Sequence, residues 1–386
     1  MMGRDHDHNG AGRVTLVDVA RHADVSRATA SLVLRDSPLV ADETRRRVQD
    51  SMRQLGYVYH RAAATLRTRR SHTVGLVVTD ITNPFYAELT VGVEEQLDAA
   101  NHVVMLVNTA ESLDKQERLL AAVHENNADG VLFCPAEGTS RATIDSLRDR
   151  HLPVVLLVRY LFDVDIDYVG ADNALGAALA VEHLIAHGHR RIAFIGGPAA
   201  SSARRDRLRG YRDAMARHGL PVDEALLPTS PSTRDGGHAA IGGLLTLADP
   251  PTAALCYNDV VAFGVMLGLQ ATGRVVGRDV AVAGFDDIAE AALWYPALTT
   301  VSVQPRRIGA EAARLLLERI AHPDELPRRV ILPPTLAVRA SCGAHDNADG
   351  PTMWTEHGSG VPETAPNNTE TTSARRAARP PLEPQA

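Results

Sequence analysis

From Thr73 to Ala340, short apolar runs alternate with longer segments of helical periodicity. The runs Thr73–Val78, Val103–Val107, Gly130–Phe133, Val154–Val158, Arg191–Ile195, Ala253–Tyr257, Val280–Gly284 and Thr300–Val303 read as strands. Between them, Tyr86–Ala100, Gln116–Asn126, Leu175–His187, Arg207–His218, Gly237–Leu247, Val260–Thr272 and Arg307–Ala321 read as helices. Such alternation predicts a parallel sheet with helices on both faces. Eight strands over about 270 residues are too many for one simple unit, so two similar α/β lobes are expected. Leu332–Ala340 reads as a last strand.

Upstream the period changes. Leu16, Val19, Ala20 and Ala23 fall at i, i+3, i+4 and i+7, one apolar face over two helical turns. Thr15 stands where a cap belongs, with Asp18 at capping-box spacing. Asp24-Val25 makes a break, and Ser26 caps a second helix whose inner side carries Ala30, Val33 and Leu34. A third helix runs from about Asp42 to Leu55, with Thr44, Val48, Met52 and Leu55 inside and Arg45, Arg46, Arg47 and Arg53 mostly outside. Gly56 sits where a helix terminates. Two short helices, a tight turn and a basic third helix predict a helix-turn-helix domain over residues 14–56. Tyr57–Arg70 is a separate Ala- and Arg-rich segment, too short and small-sided to hold a helix alone.

Charge sharpens this division. The 386-residue chain carries a net charge of −7 and is 45% hydrophobic. Val14–Arg70 holds eleven arginines against six acids, a net +5 that leaves −12 on the remainder. A basic head on an acidic body gathers phosphate contacts at one end. The three cysteines, Cys134, Cys256 and Cys342, fit neither a disulfide framework nor a zinc spacing, which suits a reducing cytoplasm. Residues 1–13 lack the apolar core of a secretory signal, and no apolar run is long enough to span a membrane. Residues 1–13 and 342–386 are too poor in aliphatic side chains to offset their ordering entropy and are expected to be disordered. Asp5-His6-Asp7-His8 reads as a solvated end rather than a metal site.

Candidate chemistry begins in the second helix. Arg27, Ala28 and Leu32 lie off its core stripe. An arginine at the start of a recognition helix pairs with guanine O6 and N7 in the major groove. Leu32 reads as an apolar contact for a thymine methyl, the alternative being a leucine folded back on the third helix. Thr15, Ser26, Thr29, Ser31 and Arg35 are small polar or cationic groups of the kind that fix a protein on phosphates.

With these parts in place, the chain resembles the lactose-repressor (LacI/GalR) family of bacterial transcription regulators. The resemblance rests on VTLVDVARHADVSRATASLVL, LVADETRRRVQDSMRQLGY and HRAAATLRTRR followed by HTVGLVV. It continues through ITNPFY, GADNALG, HRRIAFIGG, RLRGY, YNDVVAFG, VAGFDD and PALTTVSVQP, covering about Val14–Ser341. It implies a homodimer whose two heads read the halves of a near-palindromic operator. Residues 57–71 become a hinge helix that orders on DNA, with Tyr57, His60, Arg61 and Ala63 at the DNA and Leu66 as a minor-groove wedge. Such a wedge compensates for unstacking by opening more contact surface. Residues 72–341 become a periplasmic-binding-protein-like body that holds a small molecule between its lobes. By motif match the cleft residues are Asp80, Phe85, Tyr86, Arg159, Arg207, Asn258, Asp286, Trp294 and Gln304. Arg207 offers a forked donor, Asp286 and Asn258 take or share hydroxyl protons, and Phe85 or Trp294 covers an apolar sugar face, so the implied effector is a sugar or sugar derivative. Turn capping by Asp286 and loop packing by Trp294 stand beside those roles.

Three departures limit the transfer. Leu32 stands where many members carry a longer polar side chain, so no known operator can be copied. The VVLLVRYLFDVD loop around Arg159 also differs from the usual one. The tail has no leucine-repeat helix of the kind that makes tetramers, which leaves a dimer. No Walker loop, GxGxxG after a strand, GxSxG elbow or HExxH occurs, so no enzyme and no cofactor is expected. The competing reading is a sugar-binding protein without regulatory DNA binding.

Overall fold

A computed structural model describes residues 14–34, 37–57 and 71–343. The head begins at α1 (Leu16–His22), where the Thr15 side chain accepts the Asp18 N–H at 3.4 Å and Asp18 Oδ2 accepts the Thr15 N–H at 3.0 Å. This is the capping box expected from the spacing, and such caps contribute about 1 kcal/mol. The turn passes through Asp24 at φ 50, and Ser26 Oγ accepts the Thr29 N–H at 3.0 Å to start α2 (Arg27–Leu34). The third helix, α3 (Asp42–Leu55), stops at Gly56, whose φ of 64 favours glycine. Val19, Ala20, Ala23, Ala30, Val33, Val40 and Val48 form the head's core.

One expectation changes here. Leu32 is half buried and packs on this cluster, whereas Leu34 does not join it. Three mutually packed helices offer α2 an apolar surface wider than a single stripe, and a leucine is long enough to fold back onto it.

The body has two sheets, one per lobe. The first lobe contains β1 (Thr73–Val78), α4 (Pro84–Asp98), β2 (Val103–Asn108), α5 (Leu113–Glu125), β3 (Gly130–Phe133), α6 (Arg141–Asp149), β4 (Val154–Leu157) and β5 (Tyr168–Ala171). The second contains α7 (Asn173–Ala186), β6 (Ile192–Ile195), α8 (Ser202–Arg217), α9 (Arg234–Leu244), β7 (Ala253–Cys256), α10 (Asp259–Ala271), β8 (Ala281–Asp286), α11 (Ala289–Leu293) and β9 (Thr299–Ser302). The chain then returns through α12 (Pro305–Ala321) and β10 (Arg329–Leu332) to the first lobe, and ends with β11 (Thr335–Ala337) in the second. The strand orders are β10-β5-β4-β3-β1-β2 and β11-β9-β8-β7-β6, parallel except for the antiparallel β11–β9 pair. The lobes are therefore joined three times, after β5, after β9 and between β10 and β11.

Strand pleat explains the unbroken apolar runs. In β3, Leu132 points to the α4/α12 side, while Val131 and Phe133 point to the α5/α6 side, so both faces need apolar residues. On the inner side α4 and α12 approach so closely that a Cβ on Gly92 would sit 1.9 Å from the Arg306 carbonyl oxygen. Both glycines of that crossing, Gly92 and Gly309, are there to let backbones touch.

Several boundaries differ from the sequence reading. The expected last strand is two, because Pro333 and Pro334 donate no ladder hydrogen bonds and redirect the chain between sheets. Tyr168–Ala171 and Arg141–Asp149 were not expected as elements; the first is only four residues long. The helix α8 starts five residues before the expected Arg207, because its first turns bury Arg204 and Asp206 rather than aliphatic groups. Arg204 is accommodated by the carbonyls of Gly196 at 3.0 Å and Leu227 at 3.2 Å. The body also runs past Ser341: Cys342 is buried, and the Ser341 hydroxyl donates to the Val282 carbonyl at 2.6 Å. The rest of the expected tail, 344–386, and residues 1–13 lie outside the described residues.

Candidate effector cleft and DNA-reading helix

On α2, Arg27 and Ala28 are exposed side by side at the N-terminal turn, Ser26 is exposed beside them, and Thr29 and Ser31 are half buried. Thr15 and Ser26 use their hydroxyls as caps, which holds the N-termini of α1 and α2 in fixed positions. Tyr57 packs on the head core. Arg35, His60, Arg61, Ala63 and Leu66 lie outside the described residues.

The cleft is built where strands end. Asp80 follows β1 and accepts both the backbone N–H and the hydroxyl of Thr82, at 2.9 and 2.6 Å. Asn83 caps α4 by accepting the Phe85 N–H at 3.0 Å, which sets Phe85 and Tyr86 on the first turn. From the other lobe come Arg207 on α8, Asn258 capping α10 at 2.9 Å from the Val261 N–H, and Asp286 at the end of β8. Together with Thr79, Val158, Arg159, Ser232 and Tyr257 these residues enclose a cavity of about 40 Å³. Arg159 is also in the wall of a larger neighbouring cavity of about 550 Å³ between the lobes.

Most of these groups are deeply buried and hold one another. The Arg207 guanidinium donates from Nε to Asn173 Oδ1 at 2.8 Å and from Nη1 to the Tyr257 carbonyl, and lies 3.6 Å over the Phe285 ring. Its Nη2 is 3.7 Å from Asp286 Oδ1, with both side chains almost fully buried. Burial pushes the Asp286 carboxyl up to about 7, against the lowering by Arg207 and by a hydrogen bond from Asn83 across the cleft. Behind it, the fully buried Asp259 accepts from the Ile288 N–H at 2.9 Å and from the Thr300 hydroxyl. Burial raises the Asp259 carboxyl, and the Asp286 charge raises it further. Arg159 is held by Glu111 at 2.7 Å and the Pro135 carbonyl at 3.3 Å, leaving its buried Nε–H without a partner. An unpaired buried donor costs on the order of 1–3 kcal/mol, so the cleft wall favours an occupant that accepts a hydrogen bond.

Seven of the nine expected cleft residues meet here: Asp80, Phe85, Tyr86, Arg159, Arg207, Asn258 and Asp286. The other two do not line the cavity. Trp294 stacks on Phe263 of α10, with centroids 4.3 Å apart at 17°, and so packs its loop on the core. Gln304 caps α12 in the left-handed region, φ 55, and its Oε1 accepts from Arg307 at 3.4 Å, at the second crossing between lobes. Thr79, Asn83 and Tyr257 were missed, although Asn before Pro84 is a cap signal and Tyr257 directly precedes Asn258.

The lobes touch beside the larger cavity. Tyr160 donates its N–H to Ser202 Oγ at 2.9 Å and its hydroxyl to Asp206 Oδ2 at 2.9 Å, and the Ala200 N–H donates to Glu137 Oε1 at 2.6 Å. Ligand sites ordinarily have volumes of about 300–1,000 Å³. A cavity near 40 Å³ falls below that range, and the neighbouring one of about 550 Å³, which shares Arg159, falls within it.

Such a head joined to such a body defines a ligand-responsive DNA-binding regulator, and comparison with known proteins gives it a family. Residues 15–59 match the model of bacterial regulatory proteins of the lacI family, and residues 181–342 match the periplasmic binding protein-like domain. The transcriptional regulator CelR of Thermobifida fusca is 36% identical over 345 residues, covering 85% of this chain and 98% of that protein. The ribose operon repressor of Escherichia coli is 34% identical over 327 residues, covering 85% and 99%. Among solved structures, the CelR–cellobiose complex superposes with a TM-score of 0.66 at 35% identity over 85% of this chain and all of that one. The chain belongs to the LacI family.

Proposed function

We propose that this protein is a dimeric repressor that binds a near-palindromic operator and is controlled by a sugar or sugar derivative held between its lobes. The observation that carries the reading is the convergence, in one chain with an exposed Arg27–Ala28 reading face, of Arg207, Asn258, Asp286 and Arg159 beside the Phe85 and Tyr86 rings. Forked cations, a carboxylate and an amide satisfy ring hydroxyls, and aromatic rings cover the apolar face of a sugar. The relatives point the same way, one being a ribose operon repressor and another having been solved with cellobiose.

In this reading residues 14–56 read the bases, 57–71 form the hinge and the body carries the ligand and the dimer contacts. The open edge strand β2 supports a second copy, since it exposes Val103 and Leu106 instead of covering them. The work of the protein is binding rather than catalysis, carried out where the DNA is, in the cytoplasm. Among the described residues no helix is long and apolar enough to cross a membrane. A ligand shifts operator affinity only by its differential affinity for the two lobe arrangements, a coupling of about 1–3 kcal/mol in ordinary cases.

The test is retardation of near-palindromic DNA, selected by the full chain from a random pool, at several salt concentrations and with sugars added. Affinity should fall steeply with salt, as expected when several phosphates are contacted. At least one sugar that raises the melting temperature should also change retardation. A flat salt response would remove the DNA-binding reading, and a ligand that stabilises the body without altering retardation would leave only the sugar-binding one.

A further inference from the structure

At the base of the first lobe, Ser71 and His72 lead into β1 directly after the segment assigned to the hinge. Three side chains from three separate turns meet there: His72 before β1, His102 before β2 and Asp129 before β3. Each offers one donor atom, and these atoms all lie within 4.8 Å of one another.

His102 Nδ1 lies 2.9 Å from the Ala100 carbonyl oxygen, which can only accept. Nδ1 therefore donates to that carbonyl, which leaves Nε2 as the ring atom open to a ligand role. Nε2 lies 3.5 Å from Asp129 Oδ2, with only 9% of the His102 side chain and 4% of the Asp129 side chain exposed. No hydrogen bond reaches Nε2. With no hydrogen bond at Nε2 and a carboxylate oxygen beside it, the gap between them suits a bridging cation.

Asp129 is held in place for such a cation. Its Oδ1 accepts the Ser71 N–H at 2.7 Å and the Ser71 hydroxyl at 3.2 Å, and its Oδ2 accepts the His72 N–H at 2.9 Å. The His72 ring lies 5.0 Å from that of His102 and is exposed, so the cluster opens to solvent on its side.

We propose that His72, His102 and Asp129 bind a divalent transition-metal ion of the zinc class, with water completing the shell. Two imidazoles and a carboxylate suit Zn²⁺, Co²⁺ or Ni²⁺ rather than Mg²⁺ or Ca²⁺. Metal–ligand bonds of about 2.0–2.1 Å in a tetrahedron separate neighbouring ligand atoms by roughly 3.4 Å, close to the spacing of the His102–Asp129 pair. The Nδ1–H···O=C bond of His102 is the outer contact that orients a metal-binding imidazole. The ion staples the first residues of the body after the hinge to the turns before β2 and β3. The ligands are 30 and 27 residues apart in sequence, so no short motif announces the site.

The test uses the full chain, stripped with a chelator and titrated with Co²⁺, whose visible absorption reports low-coordinate nitrogen and oxygen ligation. Equilibrium dialysis with Zn²⁺ gives the stoichiometry. The variants are His72→Asn and His102→Gln; Asp129 is left intact because it also holds the backbone. All forms keep His6 and His8, so weak uptake at that tract is common to them. The expected result is one strongly absorbing Co²⁺ per chain and a melting temperature raised by metal. Each variant should lose about tenfold or more in affinity while its metal-free melting temperature stays at the parental value. If the parent shows no such bands, or both variants bind like it, the proposal is overturned.

Discussion

Replacing Asp286 by Asn tests the electrostatics of the cleft through stability, without needing to know the ligand. Burial raises the Asp286 carboxyl from 3.8 to about 7. A folded-state value raised above the unfolded one means that the native protein holds a proton the unfolded chain has given up, so stability falls as pH rises between those values. The whole interval of about 3 units corresponds to about 4 kcal/mol at 1.36 kcal/mol per unit. Between pH 5 and pH 8 about 2 of those units are traversed, which is about 3 kcal/mol. Asparagine resembles the protonated acid and does not ionise, so D286N should lack this loss. It also removes the charge that raises Asp259, an effect of the same sign. Urea unfolding of both proteins at pH 5 and pH 8 gives the double difference directly. The mutant should gain on the parent by about 3 kcal/mol between the two pH values, whatever its absolute stability. Parallel pH profiles would show that Asp286 ionises normally in the closed cleft, and the reasoning would be wrong.

Four further outcomes follow from particular contacts. Arg27→Ala should cost about 1–3 kcal/mol of operator binding and relax preference at one base pair, leaving non-specific DNA binding nearly intact in a competition assay. Leu32→Ala should destabilise an isolated head by about 1–2 kcal/mol in thermal melts, because the side chain packs on the Val19–Val48 cluster; an unchanged melt would return Leu32 to a purely DNA-facing role. Arg207→Lys should abolish the response to ligand while retaining operator binding, since an ammonium cannot serve Asn173, Tyr257 and Asp286 together from one plane. Gly92→Ala should cost about 1–3 kcal/mol or more in urea unfolding, because its Cβ would meet the Arg306 backbone at 1.9 Å and force α4 and α12 apart.

The α/β alternation was legible because the inner strands are mostly apolar runs, and the head because its caps are spelled out at fixed offsets, as with Thr15 and Asp18. The places where the reading failed share a cause. At the start of α8, the charges of Arg204 and Asp206 look like surface and are core, satisfied by carbonyls from Gly196 and Leu227 and by the Tyr160 hydroxyl. Trp294 was expected to cover a sugar face or to pack its loop, and it stacks on Phe263. No local pattern records such partners, since the residues that satisfy them come from elsewhere in the chain.

By itself the sequence determined most of the element types, the two-sheet body, the separate basic head and seven residues that line one cavity, because periodicity, capping and charge act over a few residues at a time. Only the tertiary structure decided that the expected cleft residues enclose a cavity of about 40 Å³, that Asp286 sits beside Arg207 with its carboxyl raised, and that Leu32 has a core to join. It also brought His72, His102 and Asp129 together from three turns. Burial, the distance between charges and the meeting of distant turns are properties of how elements pack, and packing is set by the sum of all faces rather than by any one stretch.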